Sequence, residues 1–190
     1  MKKKEIRSYF LNERKNISSQ KLDELSRESS DCFFNNFDLK SIKCAHIFLP
    51  IPLKAEINTK YLIDRFWNDY PSIDISIPKS DLNNLTIDSY YFTPTTVLEE
   101  NPWKIPEPMH ARPTPHELID LVFLPMLAFD KKGFRVGYGK GFYDRFLGTC
   151  RANVLKVGLA YFPSIDIIED VDQYDIPMNY CIVGKELYRF

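Results

Sequence analysis

The chain has 190 residues, a length that suits one compact domain, 1–190. Its 44% apolar and 14% aromatic content supplies a core and argues against general disorder. A net charge of −1, from 25 basic and 26 acidic side chains, lacks the basic excess of most duplex-DNA binders.

In chain order, residues 3–17 have helical spacing, with Ile6, Tyr9, Phe10 and Ile17 on one face and lysine or arginine on the other. Ser18-Ser19 caps a second helix through Leu22, Leu25, Cys32 and Phe33, and both helices (residues 1–40) are expected to pack on the core. Cys44-Ala-His-Ile-Phe-Leu49 reads as a buried strand running into Pro50 and Pro52. Residues 57–70 return to helical spacing, and Ile73–Ile77 alternates as a strand that Pro78 should end.

Thr86–Phe92 is a further strand. Five prolines between 101 and 115 exclude regular helix or central strand there and indicate a pinned surface loop. Leu118–Leu124 is apolar enough to be covered on both faces. After a glycine-rich stretch come a helix from about Gly141 to Leu147 and strands at 154–161 and 180–183. This alternation indicates an α/β fold, a three-layer sandwich with a mainly parallel central sheet flanked by helices.

Cys32, Cys44, Cys150 and Cys181 form no C-x-x-C pair. The basic N-terminus is not followed by a signal-length apolar run, and no stretch reaches the roughly 18 apolar residues of a membrane span. The expectation is a cytoplasmic protein, a monomer or weak homo-oligomer, with no nucleic-acid or membrane partner.

Arg135-Val-Gly-Tyr-Gly-Lys-Gly-Phe-Tyr-Asp144 carries the chemistry. Gly137, Gly139 and Gly141 let another group approach the backbone N–H groups closely, and a helix start behind them adds its dipole. Arg135 and Lys140 can neutralise phosphate, by a bidentate fork and as a point charge respectively. Tyr138, Phe142 and Tyr143 offer rings, and Asp144 could hold Mg²⁺ between phosphate oxygens. The stretch fits neither Walker A, lacking Gly-Lys-Ser/Thr, nor the dinucleotide fingerprint with its longer second spacing.

From Asp120 to Leu147 the chain resembles the 5-formyltetrahydrofolate cyclo-ligase (5,10-methenyltetrahydrofolate synthetase) family. The match runs strand, Pro125, Ala128-Phe-Asp130, Gly133, then Arg135-Val-Gly-Tyr-Gly-Lys-Gly-Phe-Tyr-Asp-Arg145, with Val136 in place of the usual Leu. Lys3-Lys4-Glu-Ile-Arg7 is similar to the family's N-terminal element. The resemblance implies ATP contacts by Lys3, Lys4, Arg7 and the loop from Arg135 through Tyr143.

It also implies pterin contacts by Ile51, Glu56 and Trp103, with Tyr143 between nucleotide and pterin. Mg²⁺ would sit at Asp144 and Asp175. Arg135, Lys140 and Tyr143 are the implied catalytic residues, and the substrates are 5-formyltetrahydrofolate and Mg-ATP. His46, His110 and His116 are expected to be structural or surface residues. Two features depart from the family: Gly158-Leu-Ala-Tyr-Phe-Pro163 lacks its glutamine, and Tyr174-Asp175 replaces a His-Asp pair. A phosphate-binding isomerase or CoA transferase and a non-catalytic folate- or nucleotide-binding paralogue are the rival readings.

Overall fold

A computed structural model describes residues 1–101 and 104–190. The helices are α1 (Lys3–Lys15), α2 (Ser19–Asn36), α3 (Lys60–Asp69) and α4 (Phe142–Thr149). The strands are β1 (Cys44–His46), β2 (Asp74–Asp81), β3 (Thr86–Tyr91), β4 (Leu98–Glu100), β5 (Pro106–Pro108), β6 (Leu121–Pro125), β7 (Ala128–Phe129), β8 (Arg135–Val136), β9 (Leu155–Leu159), β10 (Tyr180–Val183) and β11 (Glu186–Arg189).

Among these residues, seven strands form one sheet in the order β11-β10-β9-β6-β1-β2-β3. The inner pairs are parallel, and the two edge strands, β11 and β3, run antiparallel to their neighbours. The expected α/β sandwich with a mainly parallel sheet is therefore what the chain forms.

Strand periodicity explains the layers. On β6, Leu121 and Phe123 point to one face, where they join α2 (Phe33, Phe34) and α3 (Leu62, Phe66). Val122 and Leu124 point to the other face and meet Phe146 and Leu147 of α4. A strand buried on both faces needs a continuous apolar run, and all four residues are fully buried. A third cluster joins Ile6 and Phe10 of α1 to Ala128 and Val136 on the β7–β8 ribbon.

Several boundaries differ from the sequence expectation. Pro78 does not end its strand: β2 continues to Asp81, paired with β3. β1 stops at His46, opposite Ser76, so one side of β2 has no ladder partner beyond that point. Ser80, two residues on and facing the same way as Pro78, sends its N–H to Glu107 rather than to β3 (3.0 Å). The N–H that Pro78 lacks therefore has no ladder partner to lose. Leu118 lies in a 3-10 turn ahead of β6 rather than in the strand. The Ser18 cap is present, its hydroxyl accepting from the Lys21 N–H at 3.2 Å.

On α1 the expected faces are partly exchanged. Tyr9 is 53% exposed, while Arg14 is only 4% exposed. The described cysteines are all free thiols, and no described helix is long and apolar enough to cross a membrane.

Candidate active site

The two-residue strands β7 and β8 are paired Ala128 to Val136 and Phe129 to Arg135. This short ribbon leads directly into the glycine loop, which ends at the start of α4. Gly139 (φ +91°) and Gly141 (φ +67°) hold left-handed conformations that a side chain resists. Gly141 is the N-cap of α4 and contributes no side-chain cap, so the first-turn N–H groups remain available to an anion.

Helix α1 braces the loop. Arg7 Nε donates to the Gly137 carbonyl at 2.9 Å. A Cβ on Gly139 would stand 2.9 Å from the Arg7 guanidinium carbon, so the Arg7 side chain lies directly against the loop backbone here. Gly137 is different: its φ is not left-handed, and a Cβ added to it would meet nothing within 4 Å. Lys4, Gly139 and Lys140 are exposed, whereas Val136 is buried beneath them.

Arg135 faces inward, with its side chain 6% exposed. It donates from Nη2 to Asp144 Oδ1 (2.7 Å) and from Nη1 to the Ile176 carbonyl (2.6 Å). Asp144 Oδ1 also accepts from the Ile176 N–H at 3.1 Å. Burial pushes the Arg135 pKa down, and the Asp144 charge opposes that shift. The fork that was expected to clasp phosphate thus ties the loop to residue 176.

Next along the chain from that anchor, Asp175 accepts a hydrogen bond from the Asp172 N–H and pairs with Lys3. Among the described residues, no three His, Cys, Asp or Glu side chains converge as a ready-made metal cage. The donor set still suits Mg²⁺, which takes one or two carboxylates and completes its shell with phosphate oxygens and water.

A second cluster surrounds Glu56. The turn that carries it closes on itself: Lys54 N donates to the Ile51 carbonyl (2.9 Å), and Ile51 N donates to Glu56 Oε2 (2.8 Å). Glu56 keeps some solvent exposure but is crowded by protein. Burial raises its pKa; the Ile51 N–H, the Tyr138 hydroxyl and the charges of Arg14 and Lys54 pull it back.

Tyr138, expected to face a nucleotide, instead turns its hydroxyl toward this cluster and receives Arg14 Nη1 at 3.2 Å. The Lys54 ammonium lies 5.7 Å from the Tyr138 ring centroid. Burial and the Glu56 charge keep both Tyr138 and Tyr143 neutral phenols. The hydroxyls of Tyr143 and Tyr161 and the Nε of Arg14 are buried without a protein partner.

The structure thus gathers Lys3, Arg7, the loop and Asp144 with Asp175 on one side, and Ile51, Glu56, Tyr138 and Tyr143 on the other. Trp103 lies outside the described residues. Phe142 sits at the start of α4, packed beside Phe146 and Leu147. His46 is fully buried, with Nδ1 2.8 Å from the Ser89 hydroxyl and 3.3 Å from that of Ser76. Arg14, Lys54 and Tyr161 were missed. For Arg14 a signal existed: it follows Arg7 by two helical turns and so shares the face of Lys3, Arg7 and Phe10.

Comparison with known proteins bears on the family and the fold. The 5-formyltetrahydrofolate cyclo-ligase family model matches residues 1–184. A Haemophilus influenzae 5-formyltetrahydrofolate cyclo-ligase is 28% identical over 188 residues, covering 96% of this chain and 98% of that one. The NMR structure of Aquifex aeolicus 5,10-methenyltetrahydrofolate synthetase superposes with a TM-score of 0.82 at 29% identity, over 100% of this chain and 93% of that one. A Mycoplasma pneumoniae 5,10-methenyltetrahydrofolate synthetase shares the fold, with a TM-score of 0.75 at 22% identity over 98% and 100% of the two chains. The chain belongs to the 5-formyltetrahydrofolate cyclo-ligase family and is an enzyme of the ligase class.

Proposed function

We propose that the enzyme uses ATP to cyclise 5-formyltetrahydrofolate to 5,10-methenyltetrahydrofolate, releasing ADP and phosphate. A formamide carbon is a poor electrophile and its oxygen a poor leaving group. Attack of the formyl oxygen on the γ-phosphorus expels ADP and leaves an imidate phosphate at N5. The folate N10 then attacks that carbon and loses its proton, and phosphate departs with the former formyl oxygen.

The protein's contribution is positioning and charge stabilisation. Lys140, Arg7, the loop N–H groups and the start of α4 hold the triphosphate, with Lys3 and Lys4 at its edge. Arg135 acts from behind the loop, fixing its course through Asp144 and adding positive potential. Asp144 and Asp175 would hold Mg²⁺, which supplies neutralisation of developing phosphate charge when bound. Ile51, Glu56 and Tyr143 take the pterin, with Glu56 accepting from its N–H groups.

The observation that carries this reading is Gly137. Its φ is not left-handed and a Cβ there would meet nothing within 4 Å, so the backbone lies open for a ligand to approach. The test is to mix the enzyme with 5-formyltetrahydrofolate and follow the methenyl chromophore with and without Mg-ATP. Absorbance that rises only with ATP supports the proposal. Turnover without ATP points to isomerase-like chemistry, and tight binding without product to a non-catalytic role.

A further inference from the structure

We propose that Arg14 is a positioning residue for the folate half of the site, clamping the Ile51–Glu56 turn against the glycine loop. The inference rests on the assignment of Glu56 to the pterin. From α1, Arg14 Nη2 donates to the Met126 carbonyl at 2.6 Å, and Nη1 donates to the Lys54 carbonyl at 3.3 Å and the Tyr138 hydroxyl at 3.2 Å. These acceptors belong to three separate segments: the β6–β7 connection, the Glu56 turn and the glycine loop.

A buried guanidinium is costly unless it is paired and hydrogen-bonded. Among the described residues, Arg14 makes no ion pair with a carboxylate; its Nε has no hydrogen-bond partner, and its guanidinium carbon lies 5.3 Å from the Tyr161 ring centroid. An apolar residue on the same helix face would pack at less cost, so the cation is retained for what it holds.

The turn itself needs holding. Ala55, next to Glu56, has φ +46°, a left-handed conformation that costs a non-glycine residue about 1–2 kcal/mol. It persists because both flanks are fixed, Lys54 by Arg14 and Glu56 by the Ile51 N–H. Arg7 grips Gly137 and Arg14 grips Tyr138, so two arginines about 10 Å apart along α1 hold successive loop residues. Ordering of the glycine loop and placement of the Glu56 carboxylate are therefore mechanically linked.

Around Glu56, Arg14 and Lys54 are the cations, the Tyr138 hydroxyl and Ile51 N–H are donors, and Tyr143 and Tyr161 are neutral phenols. Loss of the Arg14 charge leaves the burial of Glu56 less opposed, so the carboxylate protonates at higher pH.

The test measures 5-formyltetrahydrofolate Kd across the acid range, KM for ATP, and melting temperature in Arg14→Gln, Arg14→Lys and Glu56→Gln enzymes. Arg14→Gln should weaken folate binding roughly tenfold, as expected for lost charged hydrogen bonds, with a smaller change in ATP KM. Its acid limb of folate binding should move to higher pH, and Arg14→Lys should return that limb toward wild type while recovering only part of the affinity. A lower melting temperature with unchanged folate Kd and limb would overturn the proposal.

Should Arg14→Gln fail to fold, Arg14→Lys and Tyr138→Phe carry the test. Each should lose folate affinity several-fold for the same lost bonds, and unchanged affinity in both overturns the role. If Glu56→Gln binds folate as wild type does, the pterin assignment itself fails. Impaired Glu56→Gln beside normal Arg14 variants refutes Arg14 alone.

Discussion

Strand β9 and the loop between β8 and α4 each carry a glycine, in opposite surroundings. At Gly158 on β9, a Cβ would stand 2.3 Å from the Met126 methyl and 2.4 Å from the Met178 sulfur. At Gly137 it would stand in open space, on a backbone without positive φ. The first glycine is crowded by packing inside the chain, while the second leaves open space beside the backbone. Gly139 is a third case, with a left-handed φ and the Arg7 side chain close by. Under the proposed function, the contrast separates a residue that the fold needs from one that a ligand needs.

Substitution by alanine sharpens the contrast, starting with the largest change in stability. Gly158→Ala should cost about 3 kcal/mol, the upper range for overpacking a tight core, read as a lower urea midpoint. A midpoint equal to wild type would show that Met126 and Met178 can move aside. Gly139→Ala should cost about 1–2 kcal/mol from backbone strain alone, because the crowding atoms belong to the flexible end of Arg7.

His46 provides a fold-side control that responds to pH. Burial lowers its pKa from 6.5 to about 3. The native state therefore favours the neutral ring, whose stabilisation is complete above pH 6.5 and is lost progressively as pH falls toward about 3. Denaturant midpoints of the wild type should fall through that window, whereas His46→Asn should show a flatter profile. Equal slopes in the two proteins would contradict a neutral buried His46.

Layer order was legible because burial on both faces of β6 requires an unbroken apolar run, and Leu121–Leu124 has one. The loop was legible because three alternate glycines before a helical segment mark a tight connection, and Gly139 and Gly141 do take left-handed conformations there. The strand through Pro78 was not, since the early end of β1 and the reach of Glu107 are tertiary facts. The two-residue strands β7 and β8 are too short to show a period.

Within the site, the residue types and their neighbourhood could be read, but not their orientation. Arg135 and Tyr138 turn away from the loop's open side because partners distant in sequence, Ile176 and Arg14, hold them there. Helical spacing could place Arg14 on the face of Arg7, yet a buried arginine runs against the hydrophobic pattern by which the inner face was chosen.

The most direct test of the ligand assignment is Gly137→Ala, measured as both stability and ATP use. Stability should stay equal or rise by about 0.4–1 kcal/mol, because the unfolded chain loses freedom and the native backbone is not strained. KM for ATP should rise roughly tenfold, about 1.4 kcal/mol of binding. An enzyme with wild-type ATP kinetics would contradict a phosphate at this backbone, as would one whose activity falls only in step with lost stability.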